Sequence, residues 1–135
     1  FPFEAAWVQM ATDRLSDEVQ ARISAQAKTL ANQEDGPCPF LVDDKCAIYE
    51  SRPLICMTQG LPLMFEAEDG ESEVDFCPLN FDTREGIESL TEDALIPLDS
   101  LNLKLAIANT LFCRSADIEE SSVRLRMSSI VLDIK

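Results

Sequence analysis

CPFLVDDKCAIYESRPLIC, residues 38–56, decides how this chain is read. Three of its five cysteines fall here, and Cys77 comes later in Asp75-Phe76-Cys77-Pro78. Pro39 and Pro53 exclude a continuous helix, because proline lacks the N–H that a helix needs and its ring clashes with the preceding turn. The stretch also has no alternating or helical period. It is therefore expected to be an irregular insert held together by its thiols. Glu50-Ser51-Arg52 reads as a turn. Asp43-Asp44 reads as an exposed turn, with a carboxylate ligand beside a metal as the alternative.

Three arrangements of Cys38, Cys46, Cys56 and Cys77 compete. Four thiolates saturate a tetrahedral zinc or a four-iron cluster. Two disulfides suit an exported protein. Four unrelated structural cysteines are the third possibility. Clustering among turn residues favours the metal. Cys38 and Cys77 are each followed by proline, as at ligands of bacterial-type ferredoxins, which places an iron–sulfur cluster slightly ahead of zinc. Arg52 lies between two of the cysteines, where it is placed to donate to a ligand sulfur or to pair with a carboxylate. Cys113 stands in the apolar run Thr110-Leu111-Phe112-Cys113 and reads as a buried small hydrophobe.

Outward from this insert the pattern turns helical. Trp7, Ala11, Leu15, Val19, Ile23, Ala27 and Leu30 recur every three or four positions. This fits one bent helix over 4–32, or two with a second N-cap at Ser16. Asn32 to Pro39 ends it through Gly36 and Pro37. Downstream, Leu63–Phe65 and Val74–Phe76 flank the acidic run EAEDGESE (66–73) and form a candidate hairpin turning at Asp69-Gly70, with Cys77 at its end. Thr83–Leu90 reads as a short helix. Pro97 interrupts the next segment, and Asp99 or Ser100 is expected to cap a helix to Cys113 with Leu101, Leu105, Ala108 and Phe112 inward. Val123, Met127, Ile130 and Ile134 fit a final helix, with a strand as the alternative. Trp7, Phe40, Tyr49, Phe65 and Phe81 are expected in the core. The expected fold is mainly α, with α+β as the variant. It is one small domain: helical over 1–36, a cysteine-rich insert with a short hairpin over 37–81, and helical again over 82–135.

Composition narrows the chemistry. Twenty-five acidic residues against eleven basic give a net charge of −14. Such a surface repels phosphate backbones and anionic membranes, so neither nucleic acid nor membrane is an expected partner. A basic protein segment is the partner this charge suits. No run reaches the roughly 18 apolar residues of a membrane span. The chain begins at Phe1 rather than Met, and a trimmed or partly ordered N-terminus is expected. No signal peptide or targeting tract is visible, and a cytoplasmic location is expected. Histidine is absent, which removes His-containing zinc sites and any Ser–His or Cys–His dyad within the chain. With no flavin, nicotinamide or phosphate-loop signature, an enzyme is the less expected reading. An iron–sulfur redox enzyme or electron carrier is one alternative to a simple metal-binding protein. An acidic interaction module with structural zinc or disulfides is the other.

Cys38-Pro-Phe-Leu, seven intervening residues to Cys46, then Cys46-Ala-Ile-Tyr and Arg52-Pro-Leu-Ile-Cys56 resemble the YkgJ-like cysteine-cluster family, described as a zinc- or iron-chelating domain. The resemblance implies that Cys38, Cys46, Cys56 and Cys77 are ligands, and that Tyr49, Arg52 and Pro53 shape the loop around the bound group. Members usually carry an upstream Cys-x-x-Cys-x-x-Cys-Cys cluster, which residues 1–37 lack. Met57 also stands where many members have arginine.

Overall fold

The computed structural model describes residues 1–31, 33, 36–119, 122 and 124–132, with only the backbone of Ile87. In chain order the elements are α1 (Pro2–Thr12), α2 (Asp17–Leu30), β1 (Leu41–Val42), β2 (Lys45–Cys46), a 3₁₀ turn (Tyr49–Ser51), α3 (Leu54–Thr58), β3 (Leu63–Glu66), β4 (Ser72–Asp75), α4 (Arg84–Glu88), a second 3₁₀ turn (Glu92–Ala94), β5 (Ile96–Pro97), α5 (Leu98–Ser115) and α6 (Met127–Leu132). The fold is mainly α with short strands, as the periodicity predicts. The chain divides into two compact units, Phe1–Pro53 with Ala108–Lys135, and Leu54–Ile107.

In the first unit the N-terminal stripe resolves into two helices. Pro2 opens α1, where its missing N–H costs nothing. The chain turns at Asp13–Ser16, and Ser16 caps α2 by accepting the Val19 N–H at 3.5 Å. Asp17 and Glu18 in the first turn and Lys28 in the last oppose the helix dipole. The inward face of α1 is Ala5, Val8, Ala11 and Thr12, so Val8 rather than Trp7 faces the core. Val8 is fully buried, while Trp7 is 46% exposed, contrary to the expected core position. Helix α6 lies against both α1 and α2. Val8, Ile23, Ala27, Phe40, Ile48, Ile130 and Val131 form the core. Buried Asn109 accepts the Phe3 N–H at 3.1 Å, satisfying one of the orphan donors of the first turn of α1. Cys113 is fully buried one turn further along α5, with its sulfur 3.8 Å from Asn109 Oδ1. Asn32, Glu34 and Asp35 of the expected helix terminator, and Val123 and Ile134 of the expected last helix, lie outside the described residues.

The second unit is built on the hairpin β3–β4, with Leu63 opposite Asp75 and Glu66 opposite Ser72. Its loop is a turn closed by the Gly70 N–H to Ala67 C=O at 2.9 Å and the Ala67 N–H to Glu71 C=O at 2.8 Å. Gly70 has φ 84°, which glycine adopts without strain. An element the sequence does not announce completes the sheet: β5 pairs parallel to β3, Leu63 with Ile96 and Met64 with Pro97, giving the order β4-β3-β5. Pro97 is tolerated there because β5 is an edge strand. Helix α5 starts at Leu98, one residue before the expected cap. The Asp99 carboxylate accepts the Glu66 N–H at 2.8 Å and so ties the helix start to β3. No helix among the described residues is long and apolar enough to cross a membrane.

Candidate metal centre

The four expected ligands divide evenly, Cys38 and Cys46 in the first unit and Cys56 and Cys77 in the second. All five cysteines carry free thiols. Among the described residues, no three Cys, Asp or Glu side chains are grouped closely enough to hold a metal ion.

Cys38 opens a turn closed by the Leu41 N–H to Cys38 C=O at 3.0 Å. Phe40, fully buried, anchors that turn in the core. The chain then forms a hairpin where irregular structure is expected. Leu41 pairs with Cys46 and Val42 with Lys45, around Asp43-Asp44. These two aspartates have φ 51° and 60°, the left-handed pair that a two-residue hairpin requires. Only two residues long on each side, the strands are too short to show alternation. The Asp-Asp turn is the one available signal. The Ala47 N–H donates to Phe40 C=O at 2.9 Å and extends the pairing past Cys46.

This geometry brings Cys38 and Cys46 into each other's electrostatic reach. Burial pushes the Cys38 thiol above its ordinary range, and the neighbouring Cys46 adds to the rise. The Phe40 backbone N–H, hydrogen-bonded to the Cys38 sulfur, opposes both. Cys38 is exposed as a residue; the rise reflects the packing of its sulfur. Cys46 is half-buried against the core and lines a cavity of about 260 Å³ with Ala11, Arg14 and Tyr49. Asp43 is engaged elsewhere. Arg22 grips it with two bonds of 3.0 and 2.7 Å, and the hydrogen bond and charge of the guanidinium hold the carboxyl below the usual range.

Tyr49 and Arg52 form a closed local pair. Arg52 Nε donates to Tyr49 C=O at 2.9 Å, and its guanidinium carbon lies 3.7 Å from the centre of the Tyr49 ring. Tyr49 is 57% exposed, not in the core. Pro53, buried, is the next residue along.

In the second unit Cys56 lies half-buried in α3. Gly60 ends that helix region at φ 85°, and a Cβ there would come within 2.7 Å of Asn80 Nδ2. Asn80 Nδ2 donates to Gly60 C=O at 2.7 Å, which fixes the turn that begins at Cys77. Cys77 C=O accepts the N–H groups of both Asn80 and Phe81 at 3.0 Å, and Phe76 and Phe81 meet edge to face at 5.9 Å. Cys77 lines a cavity of about 380 Å³ with Ile55, Leu61, Leu63 and Phe76.

The sequence matches a family described as "Putative zinc- or iron-chelating domain" over residues 4–78, more than half of the chain. The chain belongs to the CxxCxxCC family. The matched span contains Cys38, Cys46, Cys56 and Cys77 and excludes Cys113, the buried thiol. Nothing among the curated proteins or the solved structures matches the chain. The donors that the CxxCxxCC span offers suit either named metal. Without histidine the set is sulfur and carboxylate, and thiolates select zinc and iron over hard cations.

Proposed function

We propose that this CxxCxxCC protein holds a metal centre through the thiolates of Cys38, Cys46, Cys56 and Cys77, with an iron–sulfur cluster ahead of a zinc ion. The observation that carries the reading is the β1–β2 hairpin. With the turn before it, the hairpin puts Cys38 within electrostatic reach of Cys46, and the Phe40 backbone N–H faces the Cys38 sulfur. Such N–H donors stabilise a thiolate and tune the metal that it holds. The Cys-Pro pairs at 38–39 and 77–78 favour the cluster. Tyr49 and Arg52, stacked on each other, are proposed to hold the shape of the loop between Cys46 and Cys56. A bound cluster supplies one-electron transfer; a bound zinc supplies cross-linking alone.

Ligation requires deprotonated sulfur, so Cys38 must give up a proton that its surroundings hold more tightly than usual. Uptake therefore releases protons and strengthens as pH rises. The test is elemental analysis and visible spectroscopy of the full chain purified without oxygen. The expected result is bound iron with a dithionite-bleachable absorption that Cys46→Ser removes and Cys113→Ser retains. Stoichiometric zinc in a colourless protein would overturn the cluster. Metal content unchanged in Cys46→Ser would remove Cys46 from the ligand set, and no bound zinc or iron would remove the proposal.

A further inference from the structure

Unit Leu54–Ile107 carries twelve carboxylates against two cations, Arg84 and Lys104. Arg84 is already paired with Glu88 at 2.6 Å. Among the described residues β4 pairs with β3 alone, and it is exposed along its whole length. Its outer edge thus presents backbone donors and acceptors to a further strand. Edges of this kind are ordinarily guarded by charge against self-pairing, and Glu73 and Asp75 do so here. The same charges leave the edge open to a strand of opposite sign.

A groove adjoins this edge. Side chains alternate across the sheet, so the register places Met64, Glu66, Ser72 and Val74 on one face. On that face Met64, Glu66, Ser72, Pro97, Asp99 and Ser100 enclose about 320 Å³. Met64 and Pro97 give it an apolar floor. Glu66 and Asp99 give it two carboxylates. The Glu66 carboxylate has no partner among the described residues, and Asp99 spends one oxygen on the Glu66 N–H. Ser72, opposite Glu66 on the edge strand, is too small to screen it. A lysine or arginine on a strand added beside β4 reaches over Ser72. Its aliphatic stem then lies across Ser72, and its cation meets Glu66 on β3.

We infer that the β4 edge receives a basic, extended segment of a partner protein as a fourth strand, with one long cationic side chain reaching over Ser72 to the Glu66 carboxylate. Backbone pairing supplies affinity, and the Glu66 carboxylate behind Ser72 supplies selectivity for a cation. This is independent of the metal centre, since none of the cysteines takes part.

The test uses the full chain and a labelled synthetic peptide of alternating lysine and threonine, monitored by fluorescence anisotropy and backbone hydrogen exchange. The expected result is saturable, salt-sensitive binding with slowed exchange at residues 72–75. Glu66→Lys should weaken it roughly tenfold or more, and the charge-matched Glu85→Lys much less, because only the former loses a close charge pair. Ser72→Arg, which sets a cation of the chain's own beside Glu66, should act like Glu66→Lys; both sites are exposed, so folding is expected to survive and circular dichroism checks it. Absence of binding, protection elsewhere than β4, or equal losses in Glu66→Lys and Glu85→Lys would each overturn the inference. So would spermine displacing the peptide without being excluded by Ser72→Arg, which would mark simple charge attraction.

Discussion

The two antiparallel hairpins are made of similar material and end up in opposite situations. The β1–β2 hairpin has two-residue strands, too short to stand alone. It is held from outside itself: Phe40 at its root is fully buried, Val42 and Cys46 pack on the core, and Arg22 of α2 grips its turn. The β3–β4 hairpin has longer strands and a glycine-shaped loop, yet every residue of β4 is exposed. Its order comes from local turn chemistry and from β5. The comparison shows how one acidic chain specifies a hairpin either through the core beneath it or through its turn. It also separates thiols fixed by packing from a surface left open for pairing.

The sharpest way to break this contrast is to remove each hairpin's anchor. Phe40→Ala should destabilise the protein by about 3–5 kcal/mol in denaturant unfolding, the usual loss for an emptied aromatic site. Phe65→Ala, at a half-buried position on β3, should cost less than half as much. Equal losses would mean that the second hairpin is core-held as well.

The turns should respond with opposite signs. Gly70→Ala meets no atom within 4 Å, so its cost isolates the φ of 84° and should be about 1–2 kcal/mol. Asp44→Gly, at φ 60°, relieves the same strain and should stabilise by about 0.5–1 kcal/mol. Differential thermal melts of the two variants distinguish the signs directly.

The smallest effect concerns the exposed Arg22–Asp43 pair. Its folded-state carboxyl lies below the ordinary value, so the contribution is present above the unfolded pKa of about 4 and is lost as pH falls through the folded value. Asp43→Asn keeps a residue that tolerates the left-handed turn. It should lower stability slightly at neutral pH, and its difference from wild type should vanish in acid and shrink in salt. A difference that grows on acidification would contradict the latch.

Much of the fold is legible in single residues. Ser16 before Asp17-Glu18 marks the second helix, Asp69-Gly70 the second hairpin, and the run around Cys113 a buried thiol. Trp7 misleads, because a helical stripe steps back from Ala11 by either three or four residues, and only the packing of α1 chooses Val8 over Trp7. Tyr49 misleads as well: an aromatic beside an arginine can satisfy its ring by stacking at the surface. Nothing local announces β5, since two residues ending in proline form a strand only when β3 lies beside them.

By itself the sequence determined which chemistry is available. It contains sulfur and carboxylate but no imidazole, it carries a large negative charge, and its helical periods and glycine-marked turns are set by local sterics that act over a few residues. Only tertiary structure decided which thiols become neighbours, which aromatics are buried and which strand edge stays open. Those outcomes depend on contacts between residues far apart in the chain, such as Arg22 with Asp43 or Glu66 with Asp99, and local propensity does not encode them.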